Sequence, residues 1–345
     1  MKPIHFLGIL IVVIGYYLFK VFSPFIGNIT IATLLALATY KIHRYLLLKF
    51  PGRILPALLS TIILGVLFFA PLIYIITNAA TFVAQIDFTH LKQTVAEMKK
   101  MIESTIASQN WLSSINMHEY TAQLDVNKII NWLISTATFL GAKSANFIKD
   151  TLLILIFYFF ANLYGKDLLQ YFQRIIPLRS EDSITIFENL TGVMGVVFNS
   201  IIATAIFEGA LFGIIAYIYG YNGLLFGILY GFSSLIPVVG GMLMWLPVSI
   251  DLYFSGNTSG AIVLALYSII VISIIADTFI KPIIIKYIDD IMSEEEHTRV
   301  NELLIFFSII AGLSSYGFWG MIIGPAVITL MISVLNLYPK LAKKD

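Results

Sequence analysis

The sequence contains no cysteine and few charged residues. The absence of cysteine among 345 residues excludes thiol catalysis and a disulfide scaffold. Charged residues make up 12% of the chain, about half of the ~25% typical of a soluble domain. The net charge is +1. This composition excludes a soluble globule, a disordered chain and a nucleic-acid binder with a basic face.

The sequence also lacks the short motifs of common enzyme classes. It has no H-E-x-x-H zinc motif, no G-x-x-x-x-G-K-[ST] phosphate loop and no G-x-S-x-G nucleophile elbow. The five histidines are scattered among termini and loops. We therefore expect no enzyme activity, no metal site, no other cofactor and no ATP-driven transport by this chain alone.

Apolar residues are abundant instead. They make up 59% of the chain, and the mean hydropathy is +0.89. Residues 54–86, 209–250 and 303–339 carry no charge, and each run exceeds the ~20 residues that cross a bilayer as a helix. The sequence predicts an all-α polytopic membrane protein with about six full spans. We place these spans near 6–22, 24–40, 54–77, 150–165, 197–219 and 259–281.

Two further apolar stretches contain helix-breaking residues. Pro237, Gly240, Gly241 and Pro247 interrupt residues 223–254. Residues 303–338 are interrupted between 312 and 317, and again at Gly320, Gly324 and Pro325. Each stretch predicts a helix–break–helix hairpin rather than a single rod.

The distribution of charge predicts the domains and the orientation. Residues 78–149 hold 11 charges among short amphipathic runs, which indicates a small helical domain outside the bilayer. Fourteen lysines and arginines fall in the short loops of one side, against Lys20 alone opposite, so both termini should be cytoplasmic. The predicted division is 1–77 as N-terminal transmembrane helices, 78–149 as an extracytoplasmic helical domain, 150–222 as transmembrane helices with a cytoplasmic amphipathic segment, and 223–345 as a transport core with two broken hairpins.

The hairpin breaks are the first candidate site. A helix broken inside a bilayer leaves backbone groups that protein, water or substrate must satisfy. Both breaks carry a serine pair and glycines that expose the backbone. The candidate substrate- or ion-binding residues are Ser233, Ser234, Pro237, Gly240 and Gly241 in the first break, and Gly312, Ser314, Ser315 and Gly317 in the second. The alternative is that these small residues only pack helices closely.

Three ionisable residues are candidates for proton or cation coupling. Glu208 is the sole charge in its span, so it should be protonated, paired or facing a water-filled cavity. It is either a proton carrier or a structural hydrogen-bond partner. Asp277 and Lys281 are four residues apart and share a helix face. They form either a switchable charge pair or a static salt bridge, and Pro282 should bend or end their helix.

Three stretches of the C-terminal half resemble the autoinducer-2 exporter (AI-2E) family of bacterial membrane proteins. They are Phe232–Gly241 (FSSLIPVVGG), Asp277–Pro282 (DTFIKP) and Gly312–Pro325. Ser234 stands where Asn is common in the family, and the family's Gly and Leu-x-Pro after the second Pro are absent. The resemblance implies export of autoinducer-2 or, in some members, sodium/proton exchange across the bacterial cytoplasmic membrane. It also implies a homo-oligomer, for example a pentamer.

The sequence therefore predicts a secondary-active transporter that moves a small polar solute or a monovalent cation against protons by alternating access. Two alternatives from other classes stay open. One is a passive channel lined by the hairpins, and the other is a membrane scaffold that binds a partner through residues 78–149.

Overall fold

The computed structural model describes residues 3–85, 126–175, 180–236, 240–292 and 302–342, and every regular element in these ranges is helical. The predicted all-α class is confirmed. Pro237 and most of the predicted domain 78–149 lie outside the described residues. The helices are α1 (Pro3–Phe22), α2 (Ile26–Ala38), α3 (Tyr40–Lys49), α4 (Ile54–Gln85), α5 (Val126–Ile175), α6 (Ser180–Ile218), α7 (Gly223–Ser233), α8 (Met242–Phe254), α9 (Thr258–Tyr267), α10 (Lys281–Met292), α11 (Glu302–Tyr316) and α12 (Gly320–Ala342), with short 3-10 turns at Ser23–Phe25 and Gly317–Trp319 and a π-helix at Ser268–Ile280.

Six stretches of the described residues are long and apolar enough to cross a membrane, so the chain is a multi-pass membrane protein. They are His5–Ala38, Ile54–Ile75, Phe147–Tyr171, Glu181–Ile218, Thr258–Ile291 and Leu303–Asn336. The first combines the two spans predicted near 6–22 and 24–40, which are joined by the 3-10 turn at Pro24. Two shorter apolar helices, α7 and α8, fall between the fourth and fifth stretches.

Several helices extend beyond the predicted spans. α5 runs through the boundary predicted at 149/150 without a break. α6 begins at Ser180, and its first turn carries Glu181 and Asp182. Acidic residues at this end interact favourably with the partial positive charge of a helix N-terminus. Polar composition marked the membrane boundary in the sequence, but it does not end a helix that continues outside the bilayer.

Pro282 changes the type of helix instead of ending it. The chain is π-helical over Ser268–Ile280 and α-helical from Lys281 to Met292. Proline lacks a backbone N–H, so it is tolerated in the first turn of a new helical segment, where a donor has no partner in that segment. A π-helix of 13 residues is unusual, since this conformation mostly occurs as single turns, often at functional sites.

Helix α6 belongs to both hydrophobic cores of the described structure. On one side, Met194 and Phe198 pack with residues of α2, α4, α5 and α12. On the other side, Phe212 and Ile215 pack with residues of α7, α8, α9 and the π-helix. A substitution in α6 can therefore affect both halves of the molecule.

Two turns of the same chemistry frame α7 and α8. Gly220 (φ +86°) precedes Asn222, whose side chain accepts a hydrogen bond from Leu225 N and caps α7. Gly256 (φ +85°) precedes Asn257, which caps α9 in the same way. Positive φ favours glycine, and asparagine is a preferred N-cap, so both turns follow from local sequence.

Candidate functional site

Glycines set the position of α7 along α6. A Cβ atom built at Gly213 would lie 2.6 Å from the Gly223 carbonyl oxygen, and one at Gly209 would lie 2.5 Å from that of Gly227. The two backbones are thus in direct contact, as in close helix crossings between small residues. Contact continues to Gly231, which packs against Ala205. The C-terminal end of α7 therefore lies beside the middle of α6, where Glu208 is located.

The ends of α7 and α8 that are remote from the break meet each other. The Tyr221 hydroxyl, just before α7, donates a 2.5 Å hydrogen bond to Asp251 Oδ2 near the end of α8. Burial, and then Asp251 itself, raise the pKa of Tyr221 well above its ordinary value, so Tyr221 stays a donor. Because the ends of this helix pair are joined, the break between Ser233 and Met242 forms its tip.

Lys281 lies between two carboxylates. Its Nζ is 3.0 Å from Asp277 Oδ1 and 3.4 Å from Glu208 Oε1. Asp277 belongs to the π-helix and Lys281 begins α10, four residues later. Glu208 comes from α6 and precedes Lys281 by 73 residues. We call Glu208, Asp277 and Lys281 the charge triad.

The triad is buried unequally. The Glu208 side chain is 6% exposed, whereas those of Lys281 and Asp277 are 38% and 43% exposed. Glu208 is thus screened by protein, and the other two charges reach the protein surface. A charge at membrane depth is costly in hydrocarbon and is found facing water or other protein groups. The exposed side of the triad should therefore face water or another polypeptide.

Neutral polar groups of the hairpin tip surround the triad. The Glu208 carboxyl lies close to Asp277 and to the Ser234 side chain, whose hydroxyl donates to the Gly231 carbonyl oxygen at 3.1 Å. Tyr230 lies close to both carboxylates and to Ser273. A Cβ atom at Gly241 would lie 2.5 Å from the Tyr230 hydroxyl, so only glycine allows that hydroxyl its place.

The predicted residues of the first break have different positions. The hydroxyls of both serines donate to carbonyl oxygens of α7, Ser233 to Tyr230 at 2.9 Å and Ser234 to Gly231 at 3.1 Å. Ser234 also lies close to the Glu208 carboxyl. The Gly240 N–H bonds the Ile236 carbonyl at 3.0 Å, and a Cβ atom there would overlap the Ser233 carbonyl oxygen. Gly240 therefore closes the turn, and Ser234 and Gly241 border the triad.

The second break has other neighbours. Gly312 contacts the backbone of Gly320, and Gly317 has φ +63° at the tip between α11 and α12. Ser314 and Ser315 are exposed. The aromatic rings that follow the tip pack on α4 and α5. These contacts are Phe318 and Trp319 with Phe68 and with Phe147. Within the described residues, no hydrogen bond or ion pair joins this break to the triad.

Sequence analysis did not identify Lys281 as the partner of Glu208, because the two residues are 73 positions apart in the chain. It also missed Tyr230 and Ser273. Ser273 lies four residues before Asp277, and Tyr230 lies just before the FSS stretch, so both were within reach of the helical spacing argument. No local pattern identifies the tertiary contact itself.

Comparison with known proteins gives the family. The model for the AI-2E family transporter matches residues 7–340. The chain belongs to the AI-2E family. It is 32% identical over 338 residues to a Helicobacter pylori protein, with 98% of this chain and 96% of that protein covered. Its counterpart in Helicobacter pylori strain J99 is 31% identical over the same length. A protein of Aquifex aeolicus is 24% identical over 221 residues, 61% of this chain and 59% of that protein.

All three relatives carry the name "Putative transport protein". Membership of the AI-2E family together with six candidate spans supports a transport role in a membrane. The family and relative names are those of transporters and not of enzymes. The predicted resemblance is thereby confirmed over nearly the whole chain.

Proposed function

We propose that this AI-2E protein is a secondary-active transporter that exchanges a monovalent cation for protons at the charge triad. The observation that carries the proposal is the composition of the triad, two carboxylates around one ammonium group. When all three groups are ionised, the triad has a net charge of −1. One proton or one monovalent cation neutralises it, so the two compete for the same place.

The unequal burial of the triad supports Glu208 as the proton-carrying group. A buried carboxylate is most costly when it is ionised and unpaired. If Lys281 turns toward Asp277, Glu208 must take up a proton or a cation in its place. The side chains of Ser234 and Tyr230 lie close to the carboxylates and offer neutral oxygens for this exchange.

The hairpin of α7 and α8 is the proposed gate. Its two ends meet through Tyr221 and Asp251, and its tip borders the triad, which supports a re-entrant hairpin. In alternating access, the tip would cover the triad from one side and release it on the other. Export of a small polar solute, which the family name suggests, would be coupled to the same proton binding at the triad.

The proposed location is the bacterial cytoplasmic membrane with both termini in the cytoplasm. The absence of native cysteine makes labelling direct. A cysteine introduced at Ser113 should react with an impermeant thiol reagent in intact cells, and one at Ser180 should react only after permeabilisation. The reverse pattern would overturn the orientation.

Flux in liposomes tests the function. Purified protein is reconstituted, sodium and pH gradients are imposed, and proton movement is followed by an internal pH dye. We expect sodium-dependent proton flux that is lost in Glu208→Gln. The matched control is Glu188→Gln, an exposed glutamate on the same helix, which should keep wild-type flux. Equal flux in Glu208→Gln and the wild type would overturn the proposal.

Counterflow separates the remaining classes. A carrier exchanges labelled solute faster when substrate is present on the opposite side, whereas a channel does not. A scaffold that binds a partner through residues 78–149 would transport nothing.

We also propose a homo-oligomer, since a second copy would shield the half-exposed Asp277 and Lys281, and the mass of the detergent-solubilised complex tests this.

A further inference from the structure

Two cavities adjoin on a face of α6 that does not include Glu208. The larger, of about 620 Å³, lies between α4, α6, α7 and Phe318. The smaller, of about 200 Å³, lies between α3, α4, α5 and α6 and is also lined by Thr39, which joins α2 to α3. Leu67 and Ile202 line both cavities, so the two meet at these side chains.

The larger cavity is apolar and opens sideways. Its lining consists of hydrophobic side chains and of the glycines of the α6–α7 crossing, whose missing side chains leave the space. Ile206, Ile214 and Leu224 line it and are 63%, 58% and 61% exposed. Ile206 and Ile214 belong to a candidate membrane span. The opening therefore faces the hydrocarbon of the bilayer, and a ligand can enter laterally.

Polar side chains from three helices and from the junction of α2 and α3 line the smaller cavity. Thr39, Ser60, Tyr158 and Asn199 contribute hydroxyl and amide groups, and no charged side chain is among the described residues that line it. Thr39, Ser60 and Tyr158 are at most 4% exposed. An unpaired charge in such a place would lose its hydration without compensation, so a neutral ligand is favoured.

Every hydrogen-bond donor of these four side chains is already used within the protein. Thr39 donates to the Leu35 carbonyl at 2.8 Å, so the 2.6 Å contact between Thr39 and Tyr158 must be donated by Tyr158. Ser60 donates to the Pro56 carbonyl at 2.9 Å. The remaining donor group is the side-chain amide of Asn199, whose two hydrogens go to Ala38 O and Gly195 O at 3.3 and 2.7 Å.

Acceptor capacity remains. A hydroxyl oxygen has two lone pairs, and an amide oxygen also has two. Asn199 Oδ1 accepts no hydrogen bond from any described residue, and Thr39 and Ser60 each keep a lone pair. The cavity thus offers acceptors and no donors. Its ligand must supply the hydrogens, as a hydroxyl group does.

We propose that the joined cavities bind one neutral lipid with a hydroxyl head group, taken from the surrounding bilayer. Its acyl chain lies in the larger cavity, passes Leu67 and Ile202, and places the hydroxyl head against Asn199, Thr39 and Ser60. The lipid site is separate from the charge triad, and it does not depend on the proposed exchange of cations and protons.

Binding of three matched probes to the delipidated full chain in detergent tests the proposal, with native mass spectrometry as the measurement. 1-Monooleoylglycerol has a chain and two hydroxyls, methyl oleate has the chain without a donor, and glycerol has the head without a chain. We expect 1-monooleoylglycerol to bind at least 10-fold more tightly than methyl oleate and at least 100-fold more tightly than glycerol. Equal binding of the first two probes would overturn the proposal.

Variants separate the two cavities. Ala210→Phe fills the larger cavity and should weaken the binding of 1-monooleoylglycerol at least 10-fold. Val263→Phe on α9 lies outside both cavities and should leave this binding unchanged. Asn199→Leu should lower the affinity for 1-monooleoylglycerol to the level of methyl oleate. The same variant should leave the affinity for methyl oleate unchanged. If this variant does not fold, Ser60→Ala serves in its place. An unchanged affinity of Ala210→Phe for 1-monooleoylglycerol would refute the site. Glu208→Gln should bind this probe as the wild type does, whether or not the variant transports.

Discussion

The two hairpin breaks carry similar sequences but have different surroundings. Both contain a serine pair followed by glycine and proline. The first break ends beside a buried glutamate and its lysine partner. The second turns at Gly317 and is held by a glycine contact and by aromatic rings on α4 and α5. A broken helix in a membrane is therefore compatible with either a polar site or close packing.

The difference arises from what lies across from each break. Glu208, Asp277 and Lys281 supply charge beside the first, and Ser234 of this break lies close to Glu208. Across from the second break lie Phe68 and Phe147, which offer only ring contacts. The chemistry of a break is thus decided by the facing helix more than by its own residues.

Removing the ammonium group should have the largest effect on this contrast. Lys281→Gln leaves Glu208 and Asp277 as neighbouring uncompensated carboxylates, so we expect a loss of about 3 kcal/mol of stability, near the low end for breaking a buried pair because Lys281 is partly exposed. The double variant with Glu208→Gln should recover most of that loss. Thermal unfolding in detergent measures both. If the single variant is as stable as the wild type, the triad is not a coupled unit.

Matched serine variants test the contrast in transport directly. We propose that the Ser234 hydroxyl oxygen, close to Glu208, contacts the transported cation, so Ser234→Ala should weaken the apparent affinity for that cation roughly 10-fold. Ser314→Ala removes an exposed hydroxyl in the second break and should change the same value less than twofold. Flux against cation concentration gives both values. Equal effects would remove the distinction between the breaks.

The tip of the second break allows a smaller, purely structural test. Gly317 has φ +63°, where an L-residue costs about 1–2 kcal/mol. Gly317→Ala should therefore lower stability by about 1 kcal/mol and leave flux per folded molecule unchanged. Gly165→Ala, in the interior of α5 with open space around it, is the control and should not destabilise. A transport defect without a change in melting temperature would instead place the second break in the mechanism.

Much of this architecture was predictable because its causes are local. Charge-free runs gave the membrane class, and the Gly-Tyr-Asn and Gly-Asn turns follow from φ preference and capping at Gly220, Asn222, Gly256 and Asn257. The i, i+4 spacing gave the contact between Asp277 and Lys281. The contact between Glu208 and Lys281 depends on the glycine contacts between α6 and α7 and on the path of the π-helix. Those are tertiary relations, and no short pattern in the sequence encodes them.

The smallest predicted effect provides the pH control for the comparison. His43, between α2 and α4, is buried and its Nδ1 lies 3.0 Å from Ser60 Oγ. Burial, and secondarily the charge of Lys166, lower the pKa of His43. At a pH above the ordinary histidine pKa of about 6.5, His43 is neutral in both the folded and the unfolded chain, so its titration costs no stability. As the pH falls below that value, His43 is protonated first in the unfolded chain. The free energy of unfolding therefore decreases until the pH reaches the lowered pKa of His43 in the folded chain.

Melting temperatures between pH 8 and pH 5 measure this effect. His43→Gln should remove part of the acid-induced loss, by no more than about 2–4 °C. His5→Gln, in exposed α1, should leave the profile unchanged. Because His43 contacts neither break, its replacement should not alter the pH dependence of flux, which we assign to Glu208 beside the first break. A flux profile that shifts in His43→Gln and not in Glu208→Gln would move the titrating group from the triad to the helices around Ser60.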